Sequence, residues 1–483
     1  MININLEYIN IFNRGDIIKE CGILFPIFSL NNKYGIGTLG RSSYEFIKFI
    51  SECNQKYWQI LPIGQTGYGD SPYQTFSFYA GNIYLIDLEM LVENNLLSID
   101  DLTRCEGNKI DYSFLYNTKY NILKKAYNNF VIDEEYIKFI NNDWLDDYAL
   151  FMTLKEVFKC NWYELNDCYK YRDIEMLNKF SLDNIEKINF YKFTQYIFFK
   201  QYYKMKQYAN KHNVKIIGDL PIYASYDSVD VWRNPKQFLL DYNLDMEYVS
   251  GGPPDSFSKT GQYWGNPLYD WEYIKITNFK FLDKRFKYNL SLFDKLRIDH
   301  FRGYSSYYRI PKNDSAVNGE WIMSYGKELF DCLNLNKERI IIEDLGVITS
   351  DVIELVSHTK FTSMKVSVYG LDINSIHYYK NYKYNTVAYS TTHDNIPLMG
   401  WYKTLSEKEI EFINNYYGNI IEKLYCSNAK LVIIQLQDVL KLDETSTINI
   451  PNTLSNWTFK LNENIFTNEI KNYLIKLVNK YNR

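Results

Sequence analysis

The chain has 483 residues, with 54 Lys and Arg against 58 Asp and Glu, so its net charge at pH 7 is −4. This near balance, without a long basic run, argues against binding to nucleic acid or to an anionic membrane surface. Hydrophobic residues make up 46% of the chain and charged residues 23%, which is typical of a folded globular protein and excludes a disordered one.

The cysteines and the N-terminal stretch bear on the cellular compartment. The seven cysteines form no C-x-x-C pair, and an odd number cannot all pair within one chain, which indicates a reducing environment. The first 20 residues contain no basic region leading into an apolar one, and no run approaches the roughly 18 apolar residues that span a bilayer. The sequence therefore predicts a cytoplasmic protein with no membrane segment.

Short apolar runs rich in β-forming residues alternate along the chain with longer helical patterns. This alternation indicates repeated βα units around a parallel sheet. The runs predicted as strands are 22–28, 57–62, 215–220, 295–299, 340–344, 364–369, 386–391 and 431–437. Eight such units predict the α/β class and a (β/α)8 TIM barrel, with residues 1–483 forming a single barrel domain.

A glycine-rich turn, GIGTLG at 35–40, follows the first predicted strand. Its spacing matches the G-x-G-x-x-G pattern of dinucleotide-binding turns. However, the strand ends near Phe28 and does not run into the glycines, and Pro62 and Ile63 follow the second strand where a ribose-binding acid is expected. We therefore interpret this stretch as a tight surface turn.

Two long insertions interrupt the predicted barrel. Residues 92–200, between strands two and three, show helical periodicity and predict a largely helical subdomain. The apolar positions that recur there at three- and four-residue steps include Trp144, Tyr148, Phe151 and Leu154. Residues 221–290, between strands three and four, contain the Pro- and Gly-rich stretch SGGPPDSFSKTGQYWGNP and predict a loop-rich insertion that covers the active site.

Three acidic residues follow apolar strands at the end of the barrel where active sites collect. Asp299 follows KLRI, Glu343 follows III, and Asp394 follows TVAYSTTH; His300 and His393 are their neighbours. Each acid alone is more often a helix cap or a solvated side chain. Together, carboxylates this close cannot all stay ionised, so one pKa is raised and an acid stands beside a permanent anion. Glycoside cleavage needs such a pair.

These motifs resemble those of the 4-α-glucanotransferases, the amylomaltases or disproportionating enzymes of glycoside hydrolase family 77. The resemblance extends from about residue 21 to 461 and keeps the family's order. The segments that carry it are YGIG (34–37), WQILPIGQTGYGDSPYQTFSFYAGNIYLIDL (58–88), IGDLPIY (217–223), PPDSFSKTGQYWGNPLYDW (253–271), LRIDHFRG (296–303), EDLG (343–346) and TTHDN (391–395).

The resemblance implies a role for each of the three acids. Asp299 is the nucleophile that attacks the anomeric carbon, and Glu343 protonates the departing oxygen and later deprotonates the incoming hydroxyl. Asp394 binds ring hydroxyls and stabilises an oxocarbenium-like transition state. Arg297, two residues before Asp299, lies on the same face of a strand with period two and is expected to hold the nucleophile ionised and oriented.

The resemblance also implies a set of substrate-binding residues. Aromatic side chains are expected to stack on sugar rings and polar ones to bind hydroxyls; for each, a packing or supporting role is the alternative. The predicted substrate-binding residues are Arg297, His300, His393, Tyr73, Trp264, Asn266, Asp219 and Asn449. The expected substrates are α-1,4-glucans, maltooligosaccharides and glucose, and no cofactor or metal is expected.

The sequence departs from the family at several positions around these motifs. Ile396 and Pro397 follow THDN in place of the usual acidic residue and Thr, and the N-x-P-G-T pattern reads NIPNT at 449–453. None of these changes removes a catalytic carboxylate. Because of these changes, the shape of the subsites, the acceptor preference and the chain-length specificity do not follow from the resemblance.

The function expected from the resemblance is retaining transfer of α-1,4-glucan segments through a covalent glycosyl-aspartyl intermediate. Three other functions stay open on the sequence, of which the last is a non-catalytic glucan-binding protein, although the three intact carboxylates argue against it. The first is an α-glucan hydrolase that uses the same residues. The second is a divalent-metal-dependent barrel enzyme with Asp299, Glu343 and Asp394 as ligands, although Arg297 beside them opposes a cation.

Overall fold

The computed structural model describes residues 18–105, 107–254, 259–450, 453 and 456–483. The N-terminal stretch used above to predict the compartment therefore lies largely outside the described residues. So do residues 255–258 of the motif at 253–271, and Pro451 and Asn452 of the motif at 449–453.

Eight parallel strands close into a barrel, which confirms the predicted (β/α)8 architecture. Each of the eight predicted runs contributes one strand, although most runs extend past the strand at its carboxyl end, where apolar chain continues into buried loops. The barrel strands are β1 (Glu20–Leu24), β2 (Tyr57–Gln59), β3 (Lys215–Leu220), β6 (Lys295–Ile298), β9 (Ile340–Ile342), β10 (Thr362–Val366), β11 (Thr386–Tyr389) and β12 (Leu431–Gln435). Their order around the barrel is β1, β12, β11, β10, β9, β6, β3, β2.

A second, four-stranded antiparallel sheet lies outside the barrel and was not predicted. It is assembled from two chain segments that flank the barrel strand β6, with the order β5-β4-β7-β8. Its strands are β4 (Tyr248–Gly252), β5 (Gln262–Pro267), β7 (Ser306–Pro311) and β8 (Glu320–Met323). Part of the region predicted as loop, 221–290, is therefore an ordered sheet.

The described residues also form eighteen α-helices. Those between β1 and β3 are α1 (Arg41–Glu52), α2 (Leu88–Glu93), α3 (Tyr112–Asn128), α4 (Glu134–Phe139), α5 (Leu145–Phe158), α6 (Asp167–Lys170), α7 (Ile174–Asp183) and α8 (Ile185–Lys211). The remaining ones are α9 (Val229–Arg233), α10 (Trp271–Ile276), α11 (Lys280–Leu292), α12 (Gly326–Leu333), α13 (Ser350–Thr359), α14 (Leu398–Tyr402), α15 (Glu407–Tyr416), α16 (Ile420–Cys426), α17 (Leu436–Val439) and α18 (Asn468–Tyr481).

The helices between β2 and β3 pack around the 27-residue α8, which contacts α3 and α5 on one side and α1 and β3 of the barrel on the other. Aspartates at the N-caps begin four of these helices, because each carboxylate accepts a backbone N–H that the helix leaves unpaired. These caps are Asp87, Asp111, Asp133 and Asp173. The apolar repeat at Trp144, Tyr148, Phe151 and Leu154 is buried, as its spacing predicts.

The glycine-rich turn at 35–40 is tight, as predicted, but it is buried and not at the surface. Gly37 donates its N–H to the carbonyl of Phe28, and a Cβ atom on Gly37 would lie 2.0 Å from the carbonyl oxygen of Ile27. The glycine is therefore required by close approach of the backbone. The turn leads directly into α1, whose N-cap is Gly40.

Candidate active site

The backbone ladder of the barrel extends one residue beyond two strands, to the first two predicted acids. Asp299 donates its N–H to the carbonyl of Leu220, and Glu343 donates to Ile298, both at 3.0 Å. The Glu343 carbonyl in turn accepts the N–H of Phe301 at 3.1 Å. The Cα positions of both acids are therefore held by the sheet itself, which is more rigid than a loop.

Arg297 joins three carboxylates at the centre of the barrel mouth. It is the register partner of Asp219 on the neighbouring strand, and in a parallel pair such residues point to the same face. Its Nη1 donates to both oxygens of Asp219 at 2.7 Å and to Asp299 at 3.0 Å, while its Nη2 donates to Glu343 at 2.8 Å. The Arg297 side chain is only 3% exposed, so these charge-assisted bonds are shielded from water.

The two acids that share Arg297 have pKa values shifted in opposite directions. Burial and the negative charges of Glu343 and Asp219 raise the pKa of Asp299 well above its usual range, despite the nearby guanidinium. Burial also opposes the charge of Glu343, but Arg297, the backbone N–H of His300 and a hydrogen bond with Asp299 outweigh it and lower the pKa of Glu343. The two carboxyls therefore form a coupled pair in which Asp299 is the harder and Glu343 the easier to ionise.

Tyr73 connects this cluster to the third acid. Its hydroxyl lies 2.8 Å from the Asp219 carboxylate and 2.8 Å from Nε2 of His393. The rings of Tyr73 and His393 are stacked, with centroids 5.4 Å apart. Burial and the charge of Asp219 raise the pKa of Tyr73 well above its usual range, so the phenol stays protonated and donates.

Asp394 lies on the loop after β11 and is supported from two sides. His393 Nε2 is 3.1 Å from one carboxylate oxygen, and the amide of Asn449 donates to the other at 2.6 Å. Burial opposes the charge, but His393 and Asn449 outweigh it and lower the pKa of Asp394 to about 2. Asp394 is therefore a permanent anion at neutral pH, and its side chain is 37% exposed to the site.

His300 and Trp264 form the opposite side of the site. Their rings meet edge to face, with centroids 4.8 Å apart. Burial lowers the pKa of His300 to about 4, so the imidazole is neutral. The backbone of His300 is left-handed, with φ of 44°, and its Nε2 is buried without a protein partner in the described structure. This buried nitrogen is suited to a ligand hydroxyl.

Asn266 and Asp219, both predicted to bind sugar, use their polar atoms inside the protein. The Asn266 amide exchanges two hydrogen bonds with Gln74, at 3.0 and 3.1 Å, and donates to the carbonyl of Ala224. It thereby fastens the segment that carries Tyr73 to strand β5. The Asp219 side chain has no exposed surface, because Arg297 and Tyr73 occupy its oxygens.

Three further residues around the site were given no role from the sequence. Trp457 lies behind Tyr73 and His393, with ring centroids at 5.9 and 6.3 Å, and has a positive φ of 64°. Deeper in the barrel, the Tyr389 hydroxyl donates to Gln59 at 2.8 Å. In the sequence, Trp457 could be recognised only by its aromatic character, and Gln59 only by its inward position on a predicted strand.

Two features of the described residues concern metals and membranes. No group of three or more His, Cys, Asp and Glu residues within these ranges is arranged to hold a metal ion. Across the same part of the chain, no helix has both the length and the apolar surface that crossing a bilayer demands.

Comparisons with known proteins identify the family. The model of family Glyco_hydro_77, described as 4-alpha-glucanotransferase, matches residues 25–466. The chain is 45% identical to a 4-alpha-glucanotransferase of Clostridium butyricum, over 95% of this chain and 99% of the relative, and 39% identical to one of Aquifex aeolicus, over 96% and 100%. An amylomaltase of Streptococcus agalactiae, solved in complex with acarbose, superimposes with a TM-score of 0.93 at 36% identity, covering 96% of this chain and 99% of that one. The chain therefore belongs to the 4-alpha-glucanotransferase family, glycoside hydrolase family 77.

Proposed function

We propose that this protein is a 4-α-glucanotransferase that moves segments of α-1,4-glucans between maltooligosaccharides, or onto glucose, with retention at the anomeric carbon. The single observation that carries the mechanism is the sharing of one buried guanidinium by Asp299 and Glu343. It brings a nucleophile and a proton donor together in a site that also holds a permanently charged third acid, Asp394.

The closeness of the two shared acids supports retention and not inversion. Inverting enzymes keep their carboxyls roughly 6.5–9.5 Å apart so that a water molecule fits between them and the sugar, whereas retaining enzymes keep them about 5–5.5 Å apart. Asp299 and Glu343 bind the two terminal nitrogens of one guanidinium, at 3.0 and 2.8 Å. This shared partner keeps the two carboxyls close together, which favours a retaining mechanism.

In the first step, Asp299 attacks the anomeric carbon and the glycosidic oxygen leaves with a proton from Glu343. This step requires that Asp299 be ionised and that the proton of the pair be on Glu343 when the glycosidic bond breaks. The positive charge that develops on the sugar beside Asp299 favours its ionised form, against the raised pKa of the free site. The products are a covalent glycosyl-aspartyl intermediate and a shortened glucan.

Asp394 stabilises the transition state through its permanent negative charge. His393 and Asn449 hold its two oxygens, so the carboxylate is oriented before the substrate arrives and needs no reorganisation during the reaction. Tyr73 offers an aromatic face beside it, and His300 offers a buried nitrogen on the opposite side. Asp219 and Asn266 act here as supports of Arg297 and of the Tyr73 segment.

In the second step, Glu343 removes a proton from the 4-hydroxyl of an acceptor sugar, which displaces Asp299 and restores the pair. Transfer instead of hydrolysis requires that the acceptor be positioned and water be kept out. Trp264 and the half-exposed Tyr263, on strand β5 at the edge of the site, are the side chains we assign to this task.

The unpaired state of all seven cysteines supports our prediction of a reducing, cytoplasmic location.

The metal-dependent alternative is disfavoured by the arrangement of charges. A divalent cation between Asp299 and Glu343 would have to displace the guanidinium of Arg297 or lie against it. We therefore expect that prolonged treatment with EDTA leaves transfer activity unchanged. Loss of activity with EDTA and its return with Mg²⁺ would support the metal enzyme.

The experiment that tests the function is incubation of the purified protein with maltotriose, with products resolved over time. A transferase forms glucose together with maltopentaose and longer oligomers, while the number of reducing ends stays constant. A hydrolase forms glucose and maltose with a steady rise in reducing ends. Absence of any product longer than maltotriose would contradict the proposed function.

A further inference from the structure

A fourth buried acid lies near the site and has no part in the mechanism above. Asp438, on the short helix α17 that directly follows barrel strand β12, is 4% exposed. Its hydrogen-bond partners in the described structure are three neutral groups, two hydroxyls and one backbone N–H. A buried carboxylate without a cationic partner is costly unless hydrogen bonds satisfy it, so its position calls for a reason.

All three donors belong to the loop that carries His393 and Asp394. At the start of the loop, the hydroxyls of Ser390 and Thr391 donate to one oxygen of Asp438, at 2.5 and 2.6 Å. At its end, the backbone N–H of Leu398 donates to the other oxygen at 2.7 Å. One carboxylate therefore holds both ends of the segment 390–398, with Asp394 at its middle.

The neighbouring residue of the same helix holds the other support of Asp394. Gln437 donates from its amide to the carbonyl of Ser446 at 3.2 Å, three residues before Asn449. Asn449 donates its backbone N–H to the carbonyl of His393 and its side-chain amide to Asp394. Helix α17 thus organises the two segments that meet at the Asp394 carboxylate.

We propose that Asp438 is a positioning residue that fixes the Asp394 carboxylate for the sugar ring, acting through the loop 390–398. This inference rests on the proposed function, because it assumes that Asp394 binds the reacting sugar. The bonds to Asp438 join the start of the segment to its end, whereas at its middle Asn395 accepts from Thr392 and donates to Tyr369. Without the bonds to Asp438, the two ends of the segment are no longer held together, and the Asp394 carboxylate loses its orientation although its own chemistry is intact.

The test uses variants that remove hydrogen bonds between Asp438 and the loop 390–398 and leave every sugar-contacting side chain in place. Asp438→Ala removes the acceptor of all three hydrogen bonds. Thr391→Val removes one of the donors at nearly constant shape, together with the contact of that hydroxyl with Gln435. We expect Asp438→Ala to raise the dissociation constant of acarbose and to lower kcat/KM for maltotriose, each by about 10- to 100-fold, because displacement by 1 Å costs up to ~10²-fold. The single hydroxyl proton of Thr391 is shared between Asp438 and Gln435, so Thr391→Val removes only part of the attachment, and we expect about a 3- to 10-fold effect.

The matched control is Asp87→Ala. Asp87 is also buried and also accepts from a hydroxyl, that of Thr38 at 2.6 Å, and from a backbone N–H, that of Met90 at 3.0 Å. It holds no segment that carries a site residue. Asp87→Ala is expected to lower the melting temperature while acarbose binding and kcat/KM remain as in the unmodified protein.

A double-mutant cycle separates positioning from general destabilisation. If Asp438 acts through Asp394, Asp438→Ala has little further effect on acarbose binding once Asp394→Asn is present. The proposal is overturned if the fold-changes that the two substitutions cause in the acarbose dissociation constant simply multiply in the double variant. It is also overturned if folded Asp438→Ala and Thr391→Val both bind acarbose as tightly as the unmodified protein. Should Asp438→Ala not fold, Thr391→Val alone decides, in the same cycle with Asp394→Asn.

Failure of this inference differs visibly from failure of the proposed function. If the unmodified protein forms no oligomers longer than maltotriose, the function itself is wrong. If the unmodified protein forms these oligomers, and Asp438→Ala and Thr391→Val form them at the same rate with the same acarbose affinity, only the role of Asp438 is wrong.

Discussion

A single nitrogen of Arg297, Nη1, lies 2.7 Å from both carboxylate oxygens of Asp219, and the side chain of Asp219 has no exposed surface. The two residues are register partners on adjacent barrel strands. Asp219 therefore neutralises and orients the guanidinium, whose other nitrogen holds Glu343. Asp219, which the sequence predicts to bind sugar, thus has its carboxylate oxygens bound to Arg297 and Tyr73.

This relationship predicts the effect of Asp219→Asn. The amide keeps the shape of the side chain, but its NH2 group cannot accept from Arg297 or Tyr73. Because one partner of a buried ion pair is removed, we expect a loss of about 3–5 kcal/mol in the free energy of unfolding. Denaturant titration and kcat on maltotriose measure the two effects, and both are expected to fall. A variant with normal stability and only a higher KM would show instead that Asp219 binds sugar.

The roles of the two central acids predict different responses to the leaving group. With maltotriose, Glu343→Gln is expected to lower kcat by about 10²- to 10⁴-fold, because the departing oxygen is no longer protonated. With α-maltosyl fluoride, whose leaving group needs no proton, the rate of fluoride release should recover. Asp299→Asn should be inactive with both donors, since the attacking carboxylate is gone. Equal losses in Glu343→Gln with the two donors would contradict its role as the acid.

The single proton shared by Asp299 and Glu343 predicts a bell-shaped pH dependence of kcat/KM. The rate rises as the doubly protonated pair loses its first proton and falls as the singly protonated pair loses the second. Because the pKa of Asp299 is raised, the falling limb lies well above the usual carboxyl range of about 4.

In Glu343→Gln, assayed with α-maltosyl fluoride, only the ionisation of Asp299 remains. The profile should then show a rising limb and no falling limb. The limb should lie at lower pH than the falling limb of the unmodified protein, because the negative charge of Glu343 no longer raises the pKa of Asp299. Persistence of the falling limb in this variant would assign it to another group.

Tyr73 combines two functions that substitution can separate. Tyr73→Phe keeps the aromatic face but removes the hydroxyl that contacts Asp219 and His393. We expect kcat to fall by roughly tenfold, since a hydrogen bond to a charged group contributes about 1.5–3 kcal/mol, with KM changed little. Tyr73→Ala removes the face as well and should raise KM. Steady-state kinetics on maltotriose give the two constants, and identical KM values in the two variants would argue against sugar stacking.

The sequence was sufficient to predict the barrel because its signals are local. Each strand is a short apolar run, and in a barrel with parallel strands a polar residue after such a run lies at the active-site end. That rule alone placed Asp299 and Glu343, whose backbone bonds extend the ladder. The helices of the insertion were equally readable, since the apolar repeat from Trp144 to Leu154 has one period and one buried face.

The antiparallel sheet could not be predicted from the sequence in the same way. Strand β4 pairs with β7 across more than 50 residues that include a whole barrel strand, and its other partner β5 contains Gly265 in a positive-φ conformation. Neither segment has the alternation that predicts a strand by itself. Pairing between distant segments is decided by what the barrel brings side by side.

What the sequence by itself determined is the set of chemical groups and the edge of the barrel on which they lie, because strand period and chain direction are properties of neighbouring residues. Tertiary structure alone decided which carboxylates Arg297 binds, that the pKa of Asp299 is raised, that Asn266 binds Gln74, and that Asp438 accepts from both ends of the segment 390–398. These depend on distance and burial between residues far apart in the chain. Coulomb and desolvation energies change steeply with both, and no local pattern records either.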